Sequence, residues 1–252
     1  MSFAHVLSAL PSTPSFPSPA MTTTPFRVLG TFLAMTGGDD DLELVGALTD
    51  ALLATPSYGL AAEHLRRDPA CAALIEERYI PGPQNLEALA ALPSGSLGHT
   101  YAMRLARLGY DPNLHAGMVP STDGIYVELR LSQTHDLWHL LTGFDTSVHG
   151  EIALQAFHLS QFPYPLASLL TAQALLSTTL FEPEQLPLLV EAILTGLQMG
   201  QQAQPLFAQR WEEGWNKPLS QWRAELNLPP GPPQAPGQEQ GAGLVGGGVA
   251  LG

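Results

Sequence analysis

Two histidines four residues apart, with an aspartate between them, stand in the segment THDLWHLLTGFDTSVHGEIAL: His135, Asp136 and His139, followed by Glu151. On a helix of 3.6 residues per turn the first three span an arc of about 100°, so their side chains can converge on one point. Imidazoles and carboxylates together make a mixed N/O donor set for a divalent ion, zinc first, with iron(II) or magnesium as alternatives. Leu129, Leu131, Leu137, Trp138, Leu140 and Leu141 fill the other directions, and a helix that is apolar nearly all round belongs in a core. Glu128 and Ser132 prolong the same narrow polar seam toward the N-terminus. Such a seam is costly in an apolar interior unless it is paired or bound to a cation. A hydrogen-bonded pair of core histidines is the plainer alternative; the intervening Asp and the downstream Glu favour the cation.

The elements that must position these groups follow directly. Gly143 ends the helix and Thr146 or Ser147 caps the next one, leaving a turn of a few residues that folds the second helix back on the first. Glu151 then falls in the first turn of that second helix, beside the seam. His135, Asp136, His139 and Glu151 are therefore the candidate ligands and catalytic residues. Gln155 and His158 share the face of Glu151 and are expected to orient the ligands or to touch a substrate. Asp145 is expected to turn or cap the chain. Arg130 points away from the seam; a pair with an acidic neighbour is its expected role, and a substrate carboxylate a secondary one. H-D-x-x-H differs by one methylene from the zinc-peptidase pattern H-E-x-x-H, which makes a metallopeptidase a third reading, although no edge strand for an extended peptide is visible.

Around this seam the chain reads as all-α. Apolar periodicity predicts helices at residues 57–67, 69–77, 86–92, 97–108, 124–141, 148–161, 166–180, 183–201 and 219–226, separated by Pro and Gly breaks. Asp39, Asp40 and Asp41 are expected at the start of an earlier helix. Residues 1–24 are Ser/Thr/Pro-rich and residues 229–252 Pro/Gly-rich; both are expected to be disordered and to flank a single domain at 25–228. His64, His99 and His115 stand alone and are expected at the surface or as caps, and Trp211, Trp215 and Trp222 are expected to pack the C-terminal helix onto the body.

Composition narrows the partners. Of 252 residues, 45% are apolar and 13% charged, about half the charge of an average soluble domain. Ten Lys+Arg against 23 Asp+Glu give a net charge of −13, which repels a phosphate backbone and leaves no polybasic membrane anchor. The lone Cys71 excludes an intramolecular disulfide and a thiolate-only metal site. Residues 152–181 contain no Asp, Glu, Lys or Arg. Residues 1–24 hold no Lys or Arg, unlike a secretory signal or an Arg-rich presequence, so a cytoplasmic location is expected.

Four segments, LRRDPACAALIEER, LPSGSLGHTYAMRL, YVELRLSQTHDLWHLLTGFDTSVHGE and RWEEGWNKPLSQWRAEL, resemble in their order the Coq4 family of coenzyme Q biosynthesis proteins. The family's H-D-x-x-H-x11-E signature falls on His135, Asp136, His139 and Glu151, and Tyr126, Arg130 and the Pro93, Gly95, Leu97, Gly98, Tyr101 turn match as well. Where the family has Gly-x-Pro-Thr, this chain reads Gly143-Phe144-Asp145-Thr146. The resemblance implies an all-α fold, a bound zinc or similar ion, peripheral membrane association and a hydrophobic channel for a polyprenyl tail. It also implies oxidative decarboxylation, in which hydroxyl replaces the C1 carboxylate of a prenylated hydroxybenzoate ring. Zinc has no redox cycle, so a zinc centre would have to activate an electron-rich phenolate toward oxygen. A non-catalytic lipid-binding scaffold with a closed structural metal is the alternative. The expected partners are a polyprenyl lipid or quinone precursor, other quinone biosynthesis proteins, a membrane surface and a second copy of the chain.

Overall fold

A computed structural model describes residues 19–35, 42–113 and 117–230. Along these run α1 (Pro19–Met35), α2 (Leu42–Leu53), α3 (Ser57–Leu65), α4 (Pro69–Glu77), α5 (Leu86–Ala90), α6 (Leu97–Leu108), α7 (Asp123–Thr142), α8 (Val148–Gln161), α9 (Pro165–Phe181), α10 (Leu186–Gln202) and α11 (Leu219–Glu225). Short 3-10 turns occupy Pro183–Gln185 and Trp211–Gly214. The described residues contain no strand, only an isolated bridge between Ser96 and Pro218, and the all-α expectation holds. Helix α1 begins at Pro19, inside the stretch expected to be disordered; a first-turn proline lacks only an N–H that would have no partner there. Asp39, Asp40, Asp41 and His115 lie outside the described residues.

Helix α7 organises the rest. Thr122 caps it, its hydroxyl accepting from the Ile125 N–H at 3.2 Å, and Gly143 closes it at φ 83°, in the left-handed region that glycine enters without strain. Twenty residues at 1.5 Å each make it about 30 Å long. Tyr126, Val127, Leu129, Leu131, Leu137, Trp138 and Leu141 are all buried, as the all-round apolar pattern predicts. At its far end, where carbonyls lack helical partners, Arg223 of α11 donates to the carbonyls of Leu140 and Leu141. The tryptophans behave as expected: Trp211 and Trp222 rings lie 4.9 Å apart and Trp215 stacks on Tyr101 at 5.2 Å, tying the C-terminal segment to α6. His99 is a cap, its Nδ1–H donating to the Ala90 carbonyl at the end of α5.

The second helix of the hairpin, α8, is held from behind by α10. A Cβ at Gly196 would stand 2.0 Å from the Ala153 carbonyl oxygen, and one at Gly200 would stand 2.7 Å from that of Phe157. Two bare glycines therefore let the α10 backbone lie directly on α8. Ser147 caps α8, its hydroxyl accepting from the Gly150 N–H, while the Asp145 carboxylate accepts from the Ser147 N–H and hydroxyl. Asp145 is thus a turn residue, as its type predicts.

Candidate metal centre

The α7–α8 hairpin brings His135, His139 and Glu151 together. His135 Nε2 and His139 Nε2 are 3.1 Å apart; Glu151 Oε1 lies 3.2 Å from His139 Nε2 and Oε2 3.5 Å from His135 Nε2. A tetrahedral ion about 2.1 Å from each ligand needs ligand atoms about 3.4 Å apart, so the spacing fits one small divalent ion. The tautomer fits too. His139 Nδ1 is 2.9 Å from the Phe144 carbonyl, an oxygen that can only accept, so Nδ1 carries the proton and Nε2 keeps its lone pair for a ligand bond. Both Glu151 carboxylate oxygens are buried with no satisfied hydrogen bond. An acceptor pair left so in a core costs about 1–3 kcal/mol per group unless something cationic meets it.

Electrostatics agree with the geometry. Burial pushes the Glu151 carboxyl up, but the two imidazoles outweigh it and hold the group below its ordinary value. Burial would likewise depress His135, yet Glu151 and then Asp136 bring it above the usual imidazole value. Each group thus favours charge in the presence of the other, as an imidazole and a carboxylate side by side do.

Asp136 lies elsewhere. On a helix the two histidines are about 40° apart and Asp136 about 100° from His135, which turns its carboxylate toward α6, where Arg104 Nε donates to Oδ1 at 3.3 Å. Arg130 is on another face: it grips Glu212 through two nitrogens, at 2.7 and 3.0 Å, and donates to the Gln209 carbonyl. Gln155 is buried one turn beyond Glu151 with its carboxamide oxygen unpartnered. His158 stacks on Trp138 with ring centres 4.4 Å apart and donates from Nδ1 to the Leu154 carbonyl; burial, then the charge of His135, hold it down to about 3. Glu128 is buried and accepts from Tyr58 and Tyr164 hydroxyls at 2.7 and 2.8 Å and from Ser132 at 3.2 Å.

Sequence reasoning did not single out Arg104, Tyr58, Tyr164 or Tyr110. Arg104 had a signal, since it shares the apolar face of α6 with Tyr101 and Leu105. Tyr110, just beyond α6, is raised by burial and then by the charges of Asp136 and Glu151. The two tyrosines on Glu128 are 70 and 36 residues away in sequence, and no local pattern connects them.

The profile of the family described as "Coenzyme Q (ubiquinone) biosynthesis protein Coq4" matches residues 28–232. The mitochondrial ubiquinone biosynthesis protein COQ4 of Eremothecium gossypii is 34% identical over 160 residues, 62% of this chain, which spans about half (48%) of that relative. The Yarrowia lipolytica protein of the same name is 28% identical over 79% of this chain and 75% of its own length. A crystal structure of a putative ubiquinone biosynthesis protein from Nostoc punctiforme superposes with a TM-score of 0.73 at 32% identity, covering 82% of this chain and 99% of that one. The expected cytoplasmic location is overturned by these names, since the relatives from Eremothecium, Yarrowia and rat are all named mitochondrial. That expectation rested on the charge of residues 1–24 alone, and so short a composition does not specify an address. No described helix is long and apolar enough to cross a membrane.

Proposed function

The chain belongs to the Coq4 family of coenzyme Q (ubiquinone) biosynthesis proteins, and from that premise we propose that it is a metal-dependent enzyme acting on a polyprenylated hydroxybenzoate-type ring. The reaction is an oxidative decarboxylation in which the C1 carboxylate leaves as carbon dioxide, hydroxyl takes its place, and dioxygen accepts the two electrons released. One observation carries this reading: three ligand atoms spaced for a single ion, one of them on a buried carboxylate with no other donor. Zinc suits two imidazoles and a carboxylate best, with iron or magnesium as alternatives. When bound, the ion supplies Lewis acidity toward the substrate carboxylate and the adjacent ring oxygen.

The chain's own residues do the rest. His139 is held in the ligating tautomer by the Phe144 carbonyl. Glu151 would offset the ion's charge from α8, and His135 is the more exposed of the two histidines. Asp136, next to His135 in sequence, forms an ion pair with Arg104, while Gln155 and His158 are buried on α8, the helix that carries Glu151. Three protein ligands with a position open are the pattern of catalytic zinc, whereas structural zinc is usually closed by four; this favours the enzyme over the scaffold. With no strand among the described residues to pair with an extended peptide, the peptidase reading is disfavoured. The uncharged 152–181 segment and the exposed Leu176, Leu180, Phe181 and Leu188 suit a substrate carried on a polyprenyl tail, and quinone-pathway proteins are the partners this implies.

The test is turnover by the purified, metal-loaded chain of a prenylated hydroxybenzoate derivative under oxygen, read by mass spectrometry. Conversion by the wild type and none by a folded Glu151→Gln supports the enzyme. Lipid binding without conversion, or conversion undiminished in Glu151→Gln, rejects it.

A further inference from the structure

Two helical turns from His135 along the α7 seam, Glu128 is sealed in the core at 3% exposure. Its Oε2 receives hydroxyl protons from both Tyr58 of α3 and Tyr164 at the cap of α9, and its Oε1 receives one from Ser132. Among the described residues it forms no ion pair with any Lys, Arg or His. Three neutral donors stabilise a carboxylate but do not cancel its charge, and a buried uncompensated charge is normally avoided by taking up a proton. The titratable groups that face it are Tyr58 and Tyr164, with His135 further along its own helix. His158 of α8 lies beyond Tyr164, ring centres 5.3 Å apart. Burial lifts the Glu128 carboxyl above its ordinary value despite the three donors, and His135, when charged, pulls it back down. A divalent ion on His135, His139 and Glu151 would place more positive charge at that same position.

We propose that Glu128, Tyr58 and Tyr164 form an interior proton-holding cluster that gives up the Glu128 proton when the His135–His139–Glu151 site takes a divalent ion. The cluster is then the counter-charge of the occupied centre. In the metal-free chain the proton sits on Glu128 Oε1 and is donated to the Ser132 hydroxyl, which lies 3.2 Å away. As one divalent ion enters, that proton leaves for solvent, as does any proton on the His135 nitrogen that takes up the ion, and the two positive charges are met by Glu151 and a newly ionised Glu128. The two tyrosine hydroxyls keep donating to the carboxylate in the ionised state. Glu128 acts on the ion through the field and does not ligate it; it is a positioning residue. This inference rests on the metal reading above.

Infrared difference spectroscopy on adding Zn²⁺ to the metal-free full chain across about pH 5 to 7, with zinc stoichiometry measured alongside, tests it. The wild type is expected to bind zinc and to lose a protonated-carboxyl C=O band. Glu128→Gln should bind zinc and show no such loss. Tyr58→Phe, which keeps the acid but removes one donor, should show the lost band at higher frequency, a shift that a merely structural lesion would not produce. Zinc binding with no band lost in the wild type, or the same loss in Glu128→Gln, overturns the inference and leaves the metal centre standing. If Glu128→Gln fails to fold, an unshifted band in Tyr58→Phe overturns it. No zinc binding by the wild type overturns both.

Discussion

Helix α7 buries ionisable groups on two faces and treats them in opposite ways. On one, Arg130 meets Glu212 in a two-pronged fork, adds the Gln209 carbonyl, and lies 5.4 Å over the Tyr79 ring. Charge is matched there by charge from within the chain, and of the guanidinium nitrogens Nε alone has no hydrogen-bond partner. The other face carries His135 and His139, pointed at each other and at a Glu151 whose oxygens have no satisfied hydrogen bond. The same helix, in the same core, thus keeps one polar group set closed and another open. The first set is matched within the chain, and the second is the one the proposed ion would complete.

Perturbing each face separately sharpens or breaks that contrast. The largest effect should come from Glu212→Ala, which strands a buried guanidinium: unfolding free energy should fall by about 3 to 5 kcal/mol in denaturant titration, with zinc stoichiometry unchanged. A loss under about 1 kcal/mol would mean the closed face is not structural. Next, His139→Ala should weaken zinc binding by about 100-fold or more in a chelator competition while leaving the metal-free chain folded; an unchanged affinity would dissolve the open face.

The third effect is acid sensitivity. His158 is neutral in the fold down to about 3, whereas unfolded histidine protonates near about 6.5. Between those values the unfolded chain binds more protons, so stability falls as pH falls. His158→Gln should flatten that slope in denaturant titrations at several pH values. His135 has the opposite sign, because its raised value contributes stability that is present below about 6.5 and lost as pH rises through the folded value. Comparing mutant with wild type isolates His158. The smallest effect should be Tyr58→Phe, which removes one hydrogen bond to Glu128 and is expected to cost about 1 kcal/mol without altering zinc stoichiometry.

Much of this was legible in the sequence, for local reasons. The helices at 69–77, 97–108 and 148–161 have the limits of α4, α6 and α8, because Asp68, Ser96 and Ser147 are N-caps whose side chains accept from the first-turn amides. The hairpin that carries Glu151 to the histidines follows from Gly143 and Ser147, and the direction of Arg130 from helical geometry. What was not legible depends on distant segments. Whether Asp136 turns to the histidines or away from them is settled by Arg104 on α6. The partners of Glu128 come from α3 and the cap of α9, elements with no sequence relation to α7.

The proton on His139 is assigned by a peptide carbonyl, and that has a consequence for which changes the centre tolerates. The oxygen at Phe144 belongs to the chain path, while the side chain there packs against the core. The path itself is set one residue earlier, where the chain leaves α7 at φ 83°. A β-branched residue at Gly143 would be strained in that left-handed conformation, and relieving the strain would move the Phe144 carbonyl relative to the ring. The imidazole nitrogen that the proposed site would offer to an ion is therefore set partly by the shape of a turn that supplies no ligand of its own.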